Sequence, residues 1–289
     1  MMIAPSELIL NHRNAIYHLD LRPEEIADTI ITVGDPARVQ EISRRFDQVE
    51  FRTAHREFIT HTGYIGKKRI SVVGTGIGPD NIDIVLNELD ALVNIDLETR
   101  MIKEAKTSLN IIRLGTSGSL RADIPVDDLV ASSFGIGLDN LLHYYQYEPN
   151  PEERYILHDL EQHLLLPPGL KPYVTEGAIR LRSHFTSGFH QGITVTCPGF
   201  YGPQGRVLRA PLAFPNLNDL LGTFESRQHR ITNFEMETSS IYGLGRLLGH
   251  QCLSINTIVA NRVNKTFSSD SARAVERMIE HCLPLIEML

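Results

Sequence analysis

The stretch that decides the fold is Thr29-Ile30-Ile31-Thr32-Val33 followed by Gly34-Asp35-Pro36-Ala37-Arg38. It is a β-branched run that stops abruptly at a small, polar turn, as a buried strand does. Three further apolar runs end in the same way, at residues 70–73, 109–114 and 252–259. The turns that follow them are Gly74-Thr75-Gly76-Ile77-Gly78-Pro79, Gly115-Thr116-Ser117-Gly118 and Ala260-Asn261-Arg262.

Helical periodicity separates these runs. It is strongest at Ile82, Val85, Leu86, Leu89, Leu92 and Val93, which follow the spacing of one helix face. Strands alternating with helices predict an α/β fold: a single domain over residues 1–289, whose central mixed and largely parallel sheet is flanked by helices on both faces. Ligands bind outside the carboxyl ends of the strands in such sheets, so the turns form the candidate site.

Composition excludes several classes of protein. The chain has 289 residues, 42% of them apolar, and lacks an apolar run of about 18 residues, so no membrane span is predicted. Its first residues lack a signal-peptide core, and Cys197, Cys252 and Cys282 are too widely spaced for a zinc motif or disulfide framework. These features predict a cytoplasmic protein. A net charge of −7 argues against a nucleic-acid partner, so an anionic ligand would need a local arginine cluster.

The glycine-rich turn at residues 74–79 is a poor match to a dinucleotide-binding fingerprint. Pro79 stands where the last glycine of G-x-G-x-x-G belongs, and the acidic residue expected about 20 positions later would follow a helix rather than a strand. A turn that lets the backbone approach a small ligand is the better interpretation.

A pair of carboxylates lies in Asn233-Phe234-Glu235-Met236-Glu237, just before a helical pattern at Ile241, Leu244, Leu247 and Leu248. One interpretation is that a carboxylate there accepts hydrogen bonds from a polyol such as ribose. The other is that the negative charge of Glu237 interacts favourably with the dipole at the helix N-terminus, while Met236 belongs to the core. The stretch alone leaves both open.

Arg38 and Arg113 lie at predicted strand ends, Arg38 after the first strand and Arg113 just before the turn at residues 115–118. Arg56 lies in His55-Arg56-Glu57-Phe58. Guanidinium groups bind phosphate oxygens in a bidentate manner, and Thr116 with backbone N–H groups could complete the site. Taken singly, each arginine is more often a solvated surface charge.

The segments Gly34 to Arg38, Arg113 to Gly118 and Asn233 to Glu237 together resemble the signature segments of the nucleoside phosphorylase-I family, in the family's order. The resemblance implies an enzyme that uses inorganic phosphate as co-substrate and requires no cofactor. It implies a phosphate site formed by Gly34, Arg38, Arg56, Arg113 and Thr116. It also implies a ribose site formed by His18, Glu235, Met236 and Glu237, with Glu237 on the 2′-hydroxyl.

Within that family, residues 200–206 resemble the uracil-recognition segment of the uridine phosphorylases. Phe200 would lie against the base, while Gln204 and Arg206 would bind its polar edge and, with Arg113, act in catalysis. Purine-cleaving relatives resemble one another in carrying an aspartate at the position where this chain has Asn261. An asparagine side chain cannot act as an acid. The predicted reaction is reversible phosphorolysis of uridine, with deoxyuridine and thymidine as further candidates. The alternatives are a purine nucleoside phosphorylase or nucleosidase of the same fold and a non-catalytic nucleoside-binding module.

The resemblance also implies a homo-oligomer whose active site is shared between two subunits, because His18 and Arg56 match residues donated across an interface. Tyr17 replaces a phenylalanine of the family. A structural K⁺ site is a candidate at Glu57, the Ile77 carbonyl and Asn81. The stretch 94–108 reads as an extra helix-like segment that could alter assembly, so dimer and hexamer both remain open.

Overall fold

The computed structural model describes residues 2–164, 166–167 and 169–289. The chain divides into two compact units. Unit 1 comprises residues 1–112 and 244–251, and unit 2 comprises residues 113–243 and 252–289. The single domain expected from the sequence stays a prediction.

Unit 1 contains a four-stranded mixed sheet. Its elements are β1 (Thr29–Val33), α1 (Pro36–Ser43), β2 (Gln48–His55), β3 (Phe58–Ile65), β4 (Lys68–Gly74), α2 (Pro79–Asn94), β5 (Ile95–Asp96) and β6 (Met101–Ile102). The strands follow the order β1-β4-β3-β2, in which β1 is parallel to β4 and the other two pairs are antiparallel. The strand predicted at Thr29–Val33 is confirmed, and all five of its residues are buried.

The helices of unit 1 begin where the sequence indicates. The Asp35 carboxylate accepts a hydrogen bond from the Ala37 N–H at 2.9 Å, and Pro36 occupies the first turn of α1. In α2 the predicted apolar face is buried at Ile82, Val85, Leu86, Leu89 and Leu92.

The helix-like segment predicted over residues 94–108 is wrong. The helix α2 ends at Asn94, and β5 pairs with β6 in an antiparallel arrangement. Asp96 explains the turn between them, because its carboxylate accepts from the Glu98 and Thr99 N–H groups at 3.0 and 2.8 Å. A side chain that binds backbone two and three residues ahead stabilises a turn at the expense of a helix.

Unit 2 holds the remaining elements, except that β7, α6 and β13 have some residues in unit 1. They are β7 (Asn110–Ser119), β8 (Leu129–Gly137), α3 (Pro151–His163), β9 (Tyr173–Glu176), α4 (Ile179–Arg182), β10 (Phe189–Thr196), α5 (Leu217–Thr223), β11 (Glu225–Ser226), β12 (His229–Glu235), α6 (Thr238–Leu248), β13 (Gln251–Asn261), β14 (Thr266–Phe267) and α7 (Ser271–Glu287). The strand β10 is parallel to both β8 and β12, whereas β8 is antiparallel to β9 and β13. The predicted α/β class with a mixed sheet is confirmed.

The core of unit 2 lies between these strands and their helices. Ile136, Ile193, Val195 and Ile231 are fully buried in one apolar cluster. In the last helix, α7, Val275, Met278, Ile279 and Cys282 are buried, and the helix continues past Pro284 to Glu287. The predicted apolar face of α6 is buried at Ile241 and Leu244. The prediction is wrong at Leu247, which is 39% exposed.

Two predicted turns are strand instead. The strand β7 continues through Gly115, Thr116, Ser117 and Gly118, and β13 continues through Ala260 and Asn261. The end of β7 pairs with β12, Gly118 opposite Phe234, and the end of β13 pairs with β14. None of the helices over residues 2–164, 166–167 and 169–289 combines the length and the apolar composition that a membrane span requires.

Candidate active site

Arg113 lies at the centre of a buried charge cluster in unit 2. Its Nη2 donates to Glu237 Oε2 and lies 3.3 Å from Glu235 Oε2, while its Nη1 donates to Asn256 Oδ1 at 2.7 Å. Burial alone would lower the pKa of the guanidinium, but the Glu237 and Glu235 carboxylates outweigh it and raise the pKa above its ordinary value. The arginine therefore remains a fixed positive charge beside two carboxylates.

Gly115 makes room for this arginine. A Cβ built at Gly115 would lie 1.7 Å from Arg113 Nη1 and 2.4 Å from the central guanidinium carbon. Positions i and i+2 of a strand face the same side, so the Arg113 side chain passes directly over residue 115. The glycine that the sequence suggests as a turn residue is therefore required by close packing within a strand.

Glu235 caps the helix α6. Its carboxylate accepts from the Glu237 N–H at 2.9 Å, from the Thr238 N–H at 3.0 and 3.1 Å, and from the Thr196 hydroxyl at 2.9 Å. Both oxygens thus bind donors of the protein. Glu235, rather than Glu237, therefore caps this helix, while Glu237 faces Arg113.

A second network fixes the start of α6. The Tyr173 hydroxyl donates to the Asp139 carboxylate at 2.8 Å, and the Ser239 hydroxyl donates to it at 3.2 Å. Burial raises the pKa of Asp139, although these donors and the Leu141 N–H oppose the shift. The Ser239 N–H also donates to Thr196 Oγ1 at 2.9 Å, so the segment that carries both glutamates is held from two sides.

The loop after β10 brings together the residues predicted for the base. Arg206 Nη1 donates to Gln204 Oε1 at 2.6 Å and to the Phe200 carbonyl at 2.7 Å. The Arg206 guanidinium lies over the Phe200 ring, 3.7 Å from its centroid, and 5.9 Å from the Phe234 centroid. Burial, followed by repulsion from Arg262, lowers the pKa of Arg206. Arginine remains protonated even so, because its ordinary pKa is above about 12.

Arg262 supports this loop. Its Nη1 donates to the Gln204 carbonyl at 3.2 Å and its Nη2 to the Gly205 carbonyl at 3.4 Å. Its guanidinium lies 5.8 Å from the Phe234 ring centroid. Phe234 directly precedes Glu235 in β12, so the predicted base residues adjoin the segment that carries the predicted ribose residues. Met236 is partly exposed there, and Thr116 is partly exposed on β7.

The side chain of Asn261 is fully occupied by backbone. Its Nδ2 donates to the Arg121 and Ile124 carbonyls, each at 2.8 Å. Its Oδ1 accepts from the Val263 and Asn264 N–H groups at 3.0 and 2.8 Å. The residue is 1% exposed. Asn261 therefore joins two loops, in addition to standing where purine-cleaving relatives are expected to carry an aspartate.

In unit 1, Gly34 and Arg38 flank the start of α1. Arg38 is 9% exposed in the first turn of the helix, and a Cβ at Gly34 would lie 3.4 Å from the Gly76 carbonyl oxygen. The two glycine turns of this unit therefore approach each other closely, as they must if backbone groups are to contact a small anion.

The β2–β3 hairpin carries Arg56 and Glu57 at its tip. Arg56 is exposed, has a φ of +55°, and donates from Nη2 to the Tyr17 hydroxyl at 2.9 Å. A Cβ at Gly76 would lie 2.4 Å from Asn81 Nδ2 and 3.8 Å from Glu57 Cγ, so both side chains lie beside the same turn. The Ile77 residue of that turn is 65% exposed.

His18 lies in a loop of the same unit, next to α2. Its Nδ1 lies 2.6 Å from Glu88 Oε1, and its carbonyl is 3.1 Å from His55 Nδ1. The side chain is 28% exposed.

Sequence reasoning missed Asn256, Arg262 and Glu88. Asn256 carries a signal, because an amide inside the apolar run 252–259 needs a buried partner. Arg262 and Glu88 read as ordinary surface charges, and only tertiary structure shows what they bind. Across residues 2–164, 166–167 and 169–289, no three His, Cys, Asp or Glu side chains are close enough to hold a metal ion.

This chain belongs to the phosphorylase superfamily, whose profile matches residues 28–287. The match confirms the resemblance inferred from the three signature segments. A uridine phosphorylase of Thermococcus kodakarensis is 30% identical over 257 residues, which cover 87% of this chain and 79% of that protein. A DeoD-type purine nucleoside phosphorylase of Streptococcus suis is 29% identical over 249 residues, covering 86% and 87% of the two chains.

Among solved structures, a nucleoside phosphorylase of Trypanosoma brucei that shows uridine phosphorylase activity superposes with a TM-score of 0.88. It is 29% identical, and the match covers 98% of this chain and 99% of that one.

Proposed function

We propose that this chain catalyses the reversible phosphorolysis of uridine to uracil and ribose 1-phosphate. The observation that carries the proposal is the Gln204–Arg206 pair beside Phe200, because these side chains match the polar edge and the face of uracil. Arg206 donates to Gln204 Oε1, so the Gln204 amide group remains to donate to a uracil carbonyl while its oxygen keeps a second lone pair for N3–H. The relative from Thermococcus kodakarensis is named a uridine phosphorylase, and the solved structure from Trypanosoma brucei shows uridine phosphorylase activity. Both support the assignment.

The mechanism follows from where charge develops. Breaking the C1′–N1 bond leaves negative charge on uracil and positive charge on the ribose. Gln204 and Arg206 would bind the uracil oxygens more tightly as that charge grows, which lowers the barrier without a general acid. Removing one such donor costs about 10²–10³ in kcat in other enzymes.

The remaining predicted residues take the other substrates. Gly34, Arg38, Arg56, Arg113 and Thr116 would bind phosphate, the nucleophile, whose charge also favours the cationic ribose. Glu237 and Met236 would contact the sugar, and His18 its 5′-hydroxyl. Because both oxygens of Glu235 accept from the protein, we assign that residue to holding α6 rather than to the ribose directly.

Further parts of the proposal concern assembly and surroundings. We infer a homo-oligomer in which His18 and Arg56 complete the site of a neighbouring copy. The proximity of Glu57 and Asn81 to the Gly76 turn supports K⁺ binding there, with the Ile77 carbonyl as a further ligand. The three cysteines are all buried and unpaired, which suits a reducing cytoplasm.

The test is an assay of the purified protein with uridine, thymidine and inosine, each with and without phosphate. We expect uracil release from uridine that depends on phosphate and exceeds base release from inosine. Uracil release without phosphate would identify a nucleosidase, and faster cleavage of inosine a purine enzyme. Binding without cleavage of any nucleoside would identify a non-catalytic binding module.

A further inference from the structure

Two backbone N–H groups and one imidazole nitrogen of a single loop converge on the carboxylate of Glu88. His18 N–H lies 3.0 and 3.1 Å from its two oxygens, Leu19 N–H donates to Oε2 at 2.8 Å, and His18 Nδ1 lies 2.6 Å from Oε1. The Glu88 side chain is only 12% exposed and projects from α2. A carboxylate in this position binds the loop backbone and the imidazole at the same time.

This contact determines which ring nitrogen of His18 carries the proton. An ionised carboxylate can only accept hydrogen bonds, so Nδ1 must be the donor and Nε2 is left for a ligand. The ring is also confined by aromatic neighbours, with Tyr17 at 4.9 Å and Phe58 at 6.4 Å between centroids. His55 Nδ1 holds the His18 carbonyl from the other side at 3.1 Å.

The rest of the loop is anchored as firmly. Arg13 forms ion pairs with Asp20 at 3.0 Å and with Glu25 at 2.7 Å, and Asn11 donates to Asp20. A histidine that packs only for stability does not need a fixed tautomer. A histidine that binds a hydroxyl binds it more tightly when its tautomer is fixed, because no ring rotation or proton shift is then required when the ligand arrives.

We propose that Glu88 is a positioning residue that fixes the orientation and tautomer of His18, so that Nε2 is presented to the ribose 5′-hydroxyl. The inference rests on the proposed function, since it takes the hydroxyl of a nucleoside as the ligand. Glu88 itself contacts no substrate and acts through His18.

The experiment compares uridine with 5′-deoxyuridine, which lacks only the hydroxyl. In the wild type, kcat/KM should favour uridine by about tenfold, the value of one well-placed hydrogen bond. His18→Ala should abolish that preference, and Glu88→Ala should reduce it almost as far. The double variant should lose no more than His18→Ala alone, because the two residues act through one contact. Glu88→Gln, which keeps a hydrogen-bonding group beside the ring, should restore most of the preference.

Glu98→Ala is the matched control, since Glu98 is exposed in the same unit and should leave both substrates unaffected. An equal loss of kcat/KM for both substrates in Glu88→Ala would show a merely structural role and overturn the inference. A wild type that cleaves uridine without preferring it to 5′-deoxyuridine would also overturn it, while the proposed function stood. A wild type that does not cleave uridine would overturn the proposed function itself.

A spectroscopic measurement tests the positioning without any destabilising variant. The nitrogen and carbon shifts of the His18 ring should report the Nδ1–H tautomer in the wild type and also in Glu88→Gln, whose amide oxygen can still accept from Nδ1–H. An Nε2–H tautomer in the wild type would overturn the inference even if Glu88→Ala failed to fold.

Discussion

Arg113 is buried between two carboxylates, and these carboxylates differ in what else they bind. Glu235 accepts from two backbone N–H groups and a hydroxyl, whereas Glu237 Oε2 accepts from the Arg113 guanidinium. A neutral glutamine at either position would keep the side-chain volume. At Glu235 its amide group would meet the Glu237 and Thr238 N–H groups, which it cannot satisfy.

We therefore expect the two glutamine substitutions to separate stability from catalysis. Glu235→Gln should lower the free energy of unfolding by about 1–3 kcal/mol, the cost of unsatisfied buried donors. Glu237→Gln should chiefly lower kcat/KM for uridine, by about 10²-fold if its carboxylate holds the 2′-hydroxyl. Urea unfolding and steady-state kinetics of both variants provide the comparison. An activity loss confined to Glu235→Gln would reverse the two assignments.

Asn261 allows a second substitution to be judged by its hydrogen bonds. A carboxylate at this position would face the Arg121 and Ile124 carbonyl oxygens, which now accept from Nδ2. We expect Asn261→Asp to destabilise the protein by about 2–3 kcal/mol, because two buried acceptors would lose their donor and meet a charge. It should not create inosine cleavage.

Thermal unfolding and an inosine assay check this expectation. Asn264→Asp is the matched control, since Asn264 is exposed and donates to a single carbonyl, that of Ala122 at 3.0 Å. A stable Asn261→Asp variant that cleaves inosine would show that the side chain faces the base after all.

At the scale of elements, the tip of the β2–β3 hairpin combines strain with exposure. Arg56 has a φ of +55°, a region that favours glycine, and yet its side chain is exposed. Non-glycine residues in this region cost about 1 kcal/mol or more, and such strain is often found at functional sites. The hairpin thus keeps an arginine where glycine would be more stable, which supports the role proposed for its guanidinium.

The Tyr17 hydroxyl gives this hairpin a specific test. It accepts from Arg56 Nη2 at 2.9 Å, and the guanidinium lies 5.1 Å from the Tyr17 ring centroid. Tyr17→Phe removes the hydroxyl and keeps the ring. We expect KM for phosphate to rise by about three- to tenfold, since one exposed hydrogen bond orients the guanidinium, while KM for uridine stays unchanged.

Steady-state kinetics with phosphate and uridine varied separately measure the effect. Tyr144→Phe is the control, because Tyr144 is 86% exposed and no role in the site is assigned to it. A Tyr17→Phe variant that changes KM for uridine and leaves KM for phosphate constant would contradict the assignment of Arg56 to phosphate.

The elements also show how far the sequence could predict this structure. Periodicity located β1 and α2 because each buries a continuous apolar face. The small residues at 115–118 predict a turn, but they are strand in the structure, because composition alone cannot distinguish a glycine needed for a bend from one needed for space. Gly115 leaves room for Arg113. A Cβ built at Gly118 would lie 3.4 Å from Phe234 Cζ. Neither reason is visible in the local sequence. One depends on the direction of the Arg113 side chain, and the other depends on Phe234, which is remote in sequence.

At the scale of the whole molecule, the order of the three signature segments identified the family, because spacing along the chain survives when individual residues change. The chemical partners within each unit could not be read in the same way. Asn256, Thr196 and Glu88 bind their targets across about 40 to 140 residues of sequence, so only the folded chain shows them. Subunit sharing stays a prediction at this scale, and it has a direct test.

The test mixes two variants whose activity is impaired for different reasons. His18→Ala removes a residue proposed to be donated to a neighbour, and Arg206→Ala removes a residue of the recipient's own base loop. In a two-fold assembly formed by subunit exchange, each mixed pair contains one complete site and one doubly defective site. Equal mixing should therefore restore about one quarter of wild-type activity, given random pairing.

The control mixes His18→Ala with Arg56→Ala, which would both be donated by the same subunit. No mixed pair then contains a complete site, so activity should not recover. Native mass spectrometry establishes that subunits have exchanged in both mixtures. Recovery in neither mixture, despite exchange, would place His18 in the site of its own chain. Equal recovery in both would place His18 and Arg56 on opposite sides of the interface, because only then would the control pair also assemble an intact site.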